Sequence, residues 1–144
     1  MSGDRTVAPP SGHPPPRVAQ LGDGEVTLDL EALAIEICRR YRAAYPDEQE
    51  RYGAAGVAWC VHDNQHLLNW AALEAGGYGE MTEDVAWLAR VLEARGFPLD
   101  RLAHDLDLAA DVVAGVARAE GDAVVTALRR SAAMVRETPT FREA

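Results

Sequence analysis

Lysine is absent from this chain of 144 residues, so all fourteen basic side chains are arginine, against 23 acidic ones. The resulting formal charge of −9 gives a negative surface that repels phosphate backbones and anionic headgroups, which argues against nucleic-acid and membrane partners. Arg17, Arg39, Arg40, Arg42, Arg129, Arg130 and Arg136 form no run dense enough to reverse that. Isoleucine and phenylalanine are scarce and clear alternating strand patterns are missing. The apolar content is supplied mainly by Ala and Leu, so the chain inclines to helix. No apolar run approaches the roughly 18 residues of a membrane span, and the N-terminus lacks the apolar core of a signal peptide, so a cytoplasmic location is expected. Cysteine is limited to Cys38 and Cys60, which fall on different predicted helices; buried free thiols are the expectation for a cytosolic chain.

Catalytic groupings are equally sparse. The sequence has no Gly-rich phosphate loop and no Ser in a nucleophile elbow, and a non-enzymatic protein is expected.

Residues 1–24 carry Pro9-Pro10 and Pro14-Pro15-Pro16 with too little apolar surface to offset the entropy of ordering, and are predicted to form a disordered tail. The triple proline can lean towards polyproline II. A helical domain is predicted over 25–138, with a loose C-terminus at 139–144. Its first helix is capped by Thr27 or Asp29 and runs to about Ala44 on the stripe Leu30, Leu33, Ala34, Ile37, Tyr41 and Tyr45. Pro46 ends it and can start a short helical turn to Tyr52. After a turn at Tyr52-Gly53, a central helix extends to Gly76-Gly77. Thr82 caps a third helix striped by Val85, Leu88, Ala89 and Leu92 and widened by Trp87, which is expected in the core; Gly96 and Pro98 close it. Asp100 caps a fourth, striped by Leu102, Leu106, Ala109, Val113 and Val116, with His104, Asp105 and Asp107 expected on its solvated face. After Gly121-Asp122, Val125, Leu128, Ala132 and Val135 stripe a fifth that stops before Pro139. The fold class is therefore all-α: an antiparallel helical bundle of four long helices plus a fifth, with a disordered N-terminal tail.

The rare residues gather in the central helix, which holds two of the three Trp and two of the four His. Trp59, His62 or Asp63, His66, Trp70 and Leu73 recur at three- and four-residue steps and so share one face. Trp59, Trp70 and Trp87 are the candidate walls of a pocket for a flat ligand, with Asp63 and His66 as its polar groups. His62 and His66 also have the spacing of a zinc-binding helix, and Asp63-x-x-His66 is half of a di-iron motif whose second half does not occur in the chain. A third reading is that these side chains only pack, with His66 a core histidine and His62 exposed, in a ligand-free interaction or dimerisation module.

Together, Tyr52-Gly53, Asp63-x-x-His66-Leu67, Val85-x-Trp87 with Leu92, and Arg95-Gly96-Phe97-Pro98 ahead of a Leu-rich helix resemble the helical module beside cobalamin-binding domains in bacterial regulators and photoreceptors. In the photoreceptors a four-helix bundle covers the upper face of the corrinoid, while a separate α/β domain binds the cofactor and supplies a lower histidine. That domain's Asp-x-His-x-x-Gly motif does not occur in these 144 residues, and Asn69-Trp70 stand where the photoreceptors' capping Glu-His would fall. The resemblance thus implies a sensory or regulatory bundle; cobalamin or another tetrapyrrole is the candidate cofactor, the signal is expected to pass to a protein partner, and a homodimer belongs to the ligand-free reading.

Overall fold

The computed structural model describes residues 8–22, 24 and 26–142; of the tail expected at 1–24, residues 1–7 and 23, and of the loose C-terminus expected at 139–144, residues 143–144, lie outside them. The Thr140 hydroxyl and the Phe141 N–H each donate to the Glu93 carboxylate at 2.7 Å and Phe141 packs against the core, so the described C-terminus is anchored and not loose. The elements run β1 (Val18–Leu21), β2 (Val26–Asp29), α1 (Leu30–Ala44), α2 (Asp47–Ala75), α3 (Met81–Ala94), α4 (Leu99–Val116), a 3-10 turn at Arg118–Gly121 and α5 (Asp122–Glu137). Helix dominates, as an Ala- and Leu-rich chain requires, but the expected tail is corrected. β1 lies inside it and pairs antiparallel with β2, Val18 facing Asp29 and Leu21 facing Val26. Leu21 and Leu28 carry the hairpin into the core, and the Leu30 N–H donates to Arg17 O at 2.8 Å, so the strands run directly into α1.

Capping explains where the helices begin and end. Asp29 stops β2 and accepts the Ala32 N–H at 3.0 Å, satisfying one of the free donors of the first turn of α1. Within α2, Gly53 sits at φ 61°, ψ −151°, a conformation reserved to glycine, and divides a short first segment from the long second one at the expected turn. At the end of α3, Gly96 at φ 76° lets its own N–H reach Glu93 O and the Phe97 N–H reach Leu92 O, both at 3.0 Å, which satisfies two terminal carbonyls. Two expected caps are not used. Thr82 lies inside α3, because the Met81 N–H already finds the Glu74 carboxylate at 2.8 Å, and α4 starts at Leu99 with Asp100 in its first turn.

The core is aliphatic. Leu30, Ile37, Leu67, Leu68, Met81, Val85, Leu106, Val113, Val124 and Leu128 are fully buried, and small Ala side chains such as Ala34, Ala71, Ala109 and Ala132 let the helices approach closely. α4 packs along α5, α1 against α2 and α4, and α5 across α2 and α3. Burying a Leu or Val contributes roughly 1.5–3 kcal/mol, so these stripes supply the main driving force. Trp87 is not among them. It is 55% exposed, because Val85, Leu88 and Ala89 define the buried arc of α3 and residue 87 falls outside it. Among the described residues no helix is long and apolar enough to cross a membrane.

Candidate functional site

Four rings line one face of α2 in an unbroken row. Steps of three, four and four residues place Trp59 against His62 edge-on with centroids 5.1 Å apart, His62 against His66 at 4.8 Å, and His66 beside Trp70 at 6.0 Å. The row lies at the margin of the fold: every member is half-buried, and of its two Trp it is Trp70 that packs against the core. Trp59, Asp63, His66 and Trp70 are thus brought together as expected from spacing, whereas Trp87 stands on α3 and faces solvent. The rings make a surface face instead of lining an interior.

The two histidines divide differently from expectation. Asp63 Oδ1 lies 3.0 Å from His62 Nδ1, so the carboxylate serves His62 and not the residue one turn on. Burial pushes the Asp63 carboxyl above its ordinary value, with the His62 contact opposing. Burial also pushes His66 down, reinforced by His62 and opposed by Asp63, which favours a neutral ring. Among the described residues no group of three or more His, Cys, Asp and Glu converges as a metal-ligand set.

A segment expected to be loose covers part of this face. The Trp59 indole N–H donates to Ala8 O at 2.6 Å and the Gln65 amide donates to Pro16 O at 3.2 Å, fastening residues 8–16 across α2. Prolines have no N–H, so such an arm docks through its carbonyls and ring faces. Between arm and helix lies a shallow depression of about 500 Å³ whose walls include Pro10, Pro14, Ile35, Val61 and His62.

A second cluster lies deeper, between α1, α2 and α4. Cys38 and Cys60 are bonded, with Cα atoms 6.0 Å apart, which corrects the expectation of free thiols: the α1–α2 packing brings together two positions that sequence spacing does not relate. The Asn64 Nδ2 lies 3.5 Å from Cys38 Sγ, 3.6 Å from Cys60 Sγ, 3.0 Å from Cys60 O and 3.2 Å from Asp105 Oδ1. Asp105, expected on a solvated face, is buried, and its carboxyl is pushed up to about 7, chiefly by burial and further by Asp63, with the Asn64 hydrogen bond opposing. Its neighbour His104 is also engaged, Nδ1 lying 2.6 Å from Tyr45 OH.

Further along, Tyr41 OH donates to Glu48 Oε2 at 2.9 Å, and Arg101 reaches Glu48 at 2.7 Å and Asp47 at 3.0 Å with its guanidinium 4.4 Å from the Tyr45 ring centroid. Burial, then the Glu48 charge, pushes the Tyr41 phenol up. This polar layer joins the start of α2 to α4. The signal for it was in the periodicity: residue 105 lies three after Leu102 and four before Ala109, within the arc those residues bury. Comparison with family models, with curated proteins and with solved structures returns no match.

Proposed function

We propose that the five helices form an antiparallel bundle of regulatory type, working in the cytoplasm without catalysis of its own. Its α2 face takes up a flat ligand, a corrinoid or other tetrapyrrole, and binding is passed to a protein partner or a second copy. The observation that carries this reading is the continuous row Trp59, His62, His66 and Trp70 with the chain's own proline arm laid beside it. Flat rings stack on such a row at little entropic cost, and a histidine held neutral keeps a nitrogen lone pair free for a metal centre in the ligand. The arm is held by two side-chain hydrogen bonds, each worth about 0.5–1.5 kcal/mol net, so an incoming ligand can displace it. Displacement of the arm is then the outward signal.

The test is to titrate the protein with aquocobalamin and with haem, following the visible band and tryptophan fluorescence. A shifted band with quenching, weakened by Trp59→Ala or His66→Gln, is expected. No spectral change up to about 1 mM ligand would mean binding weaker than about −4 kcal/mol and would sink the reading.

A second reading, a ligand-free interaction module, is favoured by Trp87, since a half-exposed Trp is the residue type that anchors protein interfaces. Sedimentation of wild type and Trp87→Ser decides it: a dimer lost in the variant supports this reading, and a monomer in both removes self-association.

A further inference from the structure

The two bonded sulfurs are unequal. Cys38 is 2% exposed on the inner face of α1, whereas Cys60 on α2 is only partly covered. Both lie within reach of one amide group, Asn64 Nδ2, which carries two hydrogens among four acceptors: the two Sγ atoms, Cys60 O and Asp105 Oδ1. The other end of that amide, Asn64 Oδ1, is buried without a partner. Half a turn of the amide brings Oδ1 to the position of Nδ2, where it accepts from thiols or from a protonated Asp105. The cradle therefore has an acceptor for the sulfurs in their reduced form and a donor for them in their oxidised form. A cross-link that only staples two helices needs neither a buried amide nor a buried acid, and burying such groups opposes folding.

We propose that Cys38–Cys60 is a thiol–disulfide exchange site for an external dithiol, with Cys60 the sulfur that is attacked, Cys38 the buried leaving sulfur, and Asn64 and Asp105 the residues that position it. A thiolate of the dithiol attacks Cys60 Sγ, a bond forms between the two, and the Cys38–Cys60 bond breaks with its electron pair leaving on Cys38, which takes up a proton. The second thiolate of the substrate then attacks the substrate's own sulfur in the mixed disulfide, closing the substrate disulfide and expelling Cys60, which is protonated in turn. Two electrons pass from the dithiol to the protein, and the two protons lost by the substrate thiols equal the two gained by the cysteines.

Asp105 acts through its charge. While protonated it places no negative charge beside the thiolate forming on Cys38; once ionised it opposes that thiolate. The other groups facing it are Asp63 from α2, Tyr41 from α1 and Tyr45 at the end of α1, while Arg101, one turn earlier on α4, is held by Asp47 and Glu48. None supplies a free positive charge to cancel it.

The test treats the oxidised full chain with dithiothreitol under native conditions, counting thiols by mass-tagging while circular dichroism monitors the helices. Opening of the bond with the helical signal retained is expected; a bond that opens only as fast as the chain unfolds in urea would overturn the proposal. Glutathione as a limiting monothiol, followed by mass mapping of wild type, should place the adduct on Cys60. An adduct on Cys38, or none, refutes the assigned roles. The Cys38→Ser and Cys60→Ser variants repeat this with oxidised glutathione, the first reacting and the second remaining unmodified. Finally, the opening rate of Asp105→Asn relative to wild type, in which the reagent's own ionisation cancels, should rise from near one at about pH 5.5 to about tenfold by about pH 8.5. A ratio independent of pH removes Asp105 from the site.

Discussion

Asp105 and His66 pull the stability of the fold in opposite directions as pH changes. Asp105 has a raised folded-state value of about 7, so its contribution is fully present below the ordinary carboxyl range and is lost as pH rises towards 7. His66 is lowered, so its contribution is present above the ordinary imidazole value and is lost as pH falls through the folded one. Asp105 is the more deeply buried, and its slope should dominate. Denaturation in urea is therefore predicted to show wild type less stable at pH 8 than at pH 5, whereas Asp105→Asn should be stabilised at pH 8 by a few kcal/mol and keep only a weak slope, in which the raised Asp63 and the lowered His66 oppose each other. A variant that tracks wild type at every pH would mean the carboxyl is ionised at no cost in its buried place. Residue identity alone could not disclose this. The residue types of His104-Asp105 are those of a solvated pair; what marks Asp105 is its place on the arc of Leu102 and Ala109, which α1 and α2 cover. Trp87 errs in the other direction, an apolar side chain just off the buried stripe.

Elements were far more legible than contacts between them. The stripes of α1, of α4 as far as Val113 and of α5 from Leu128, the break at Gly53 and the close of α3 at Gly96 follow from periodicity and backbone chemistry, which are local, whereas Val116, expected on the α4 stripe, is exposed and Val124 is buried in place of Val125. The hairpin was hidden by its neighbourhood. Its strands are four residues each, flanked by a proline-rich stretch, although Gly22-Asp23-Gly24 between Val18–Leu21 and Val26–Asp29 is a turn signal of the usual kind. The arm and the Cys38–Cys60 pair leave no such trace in local periodicity, because they depend on which faces meet. The break in α2 has its own consequence. Gly53 cannot be replaced by a residue with a Cβ without strain at φ 61°, ψ −151°, and one turn further on a Cβ added at Gly56 would meet Tyr52 Cβ at 2.5 Å. Gly53→Ala is predicted to cost about 1–3 kcal/mol, read as a lowered thermal midpoint. An unchanged midpoint would show that the segment Asp47–Tyr52 can be re-aimed freely, and with it the Glu48 and Asp47 contacts to Arg101.

For the molecule as a whole, the question is how much the one covalent cross-link contributes beside the aliphatic core. Surface ion pairs such as Arg39 and Arg40 with Glu36, or Arg129 with Asp107 and Asp111, are exposed and together contribute little. The Cys38–Cys60 bond closes a loop with a sequence separation of 22, and on chain-entropy grounds restricts the unfolded state by about 3 kcal/mol. Domains of this size are stable by about 5–15 kcal/mol, and the contacts of α4 with α5 and of α5 with α2 and α3 do not pass through the bond. The reduced chain is therefore predicted to remain folded at 25 °C with its helical signal unchanged, while its urea midpoint falls by about 1–2 M. A reduced chain that is unfolded without denaturant would make the bond a prerequisite of the fold and leave no native reduced state to take part in exchange. A midpoint that does not move would mean that the unfolded chain already holds α1 and α2 together. The expected outcome lies between these: two folded redox states differing by a few kcal/mol, which is the condition for a disulfide to be opened and closed repeatedly by a dithiol without loss of the protein.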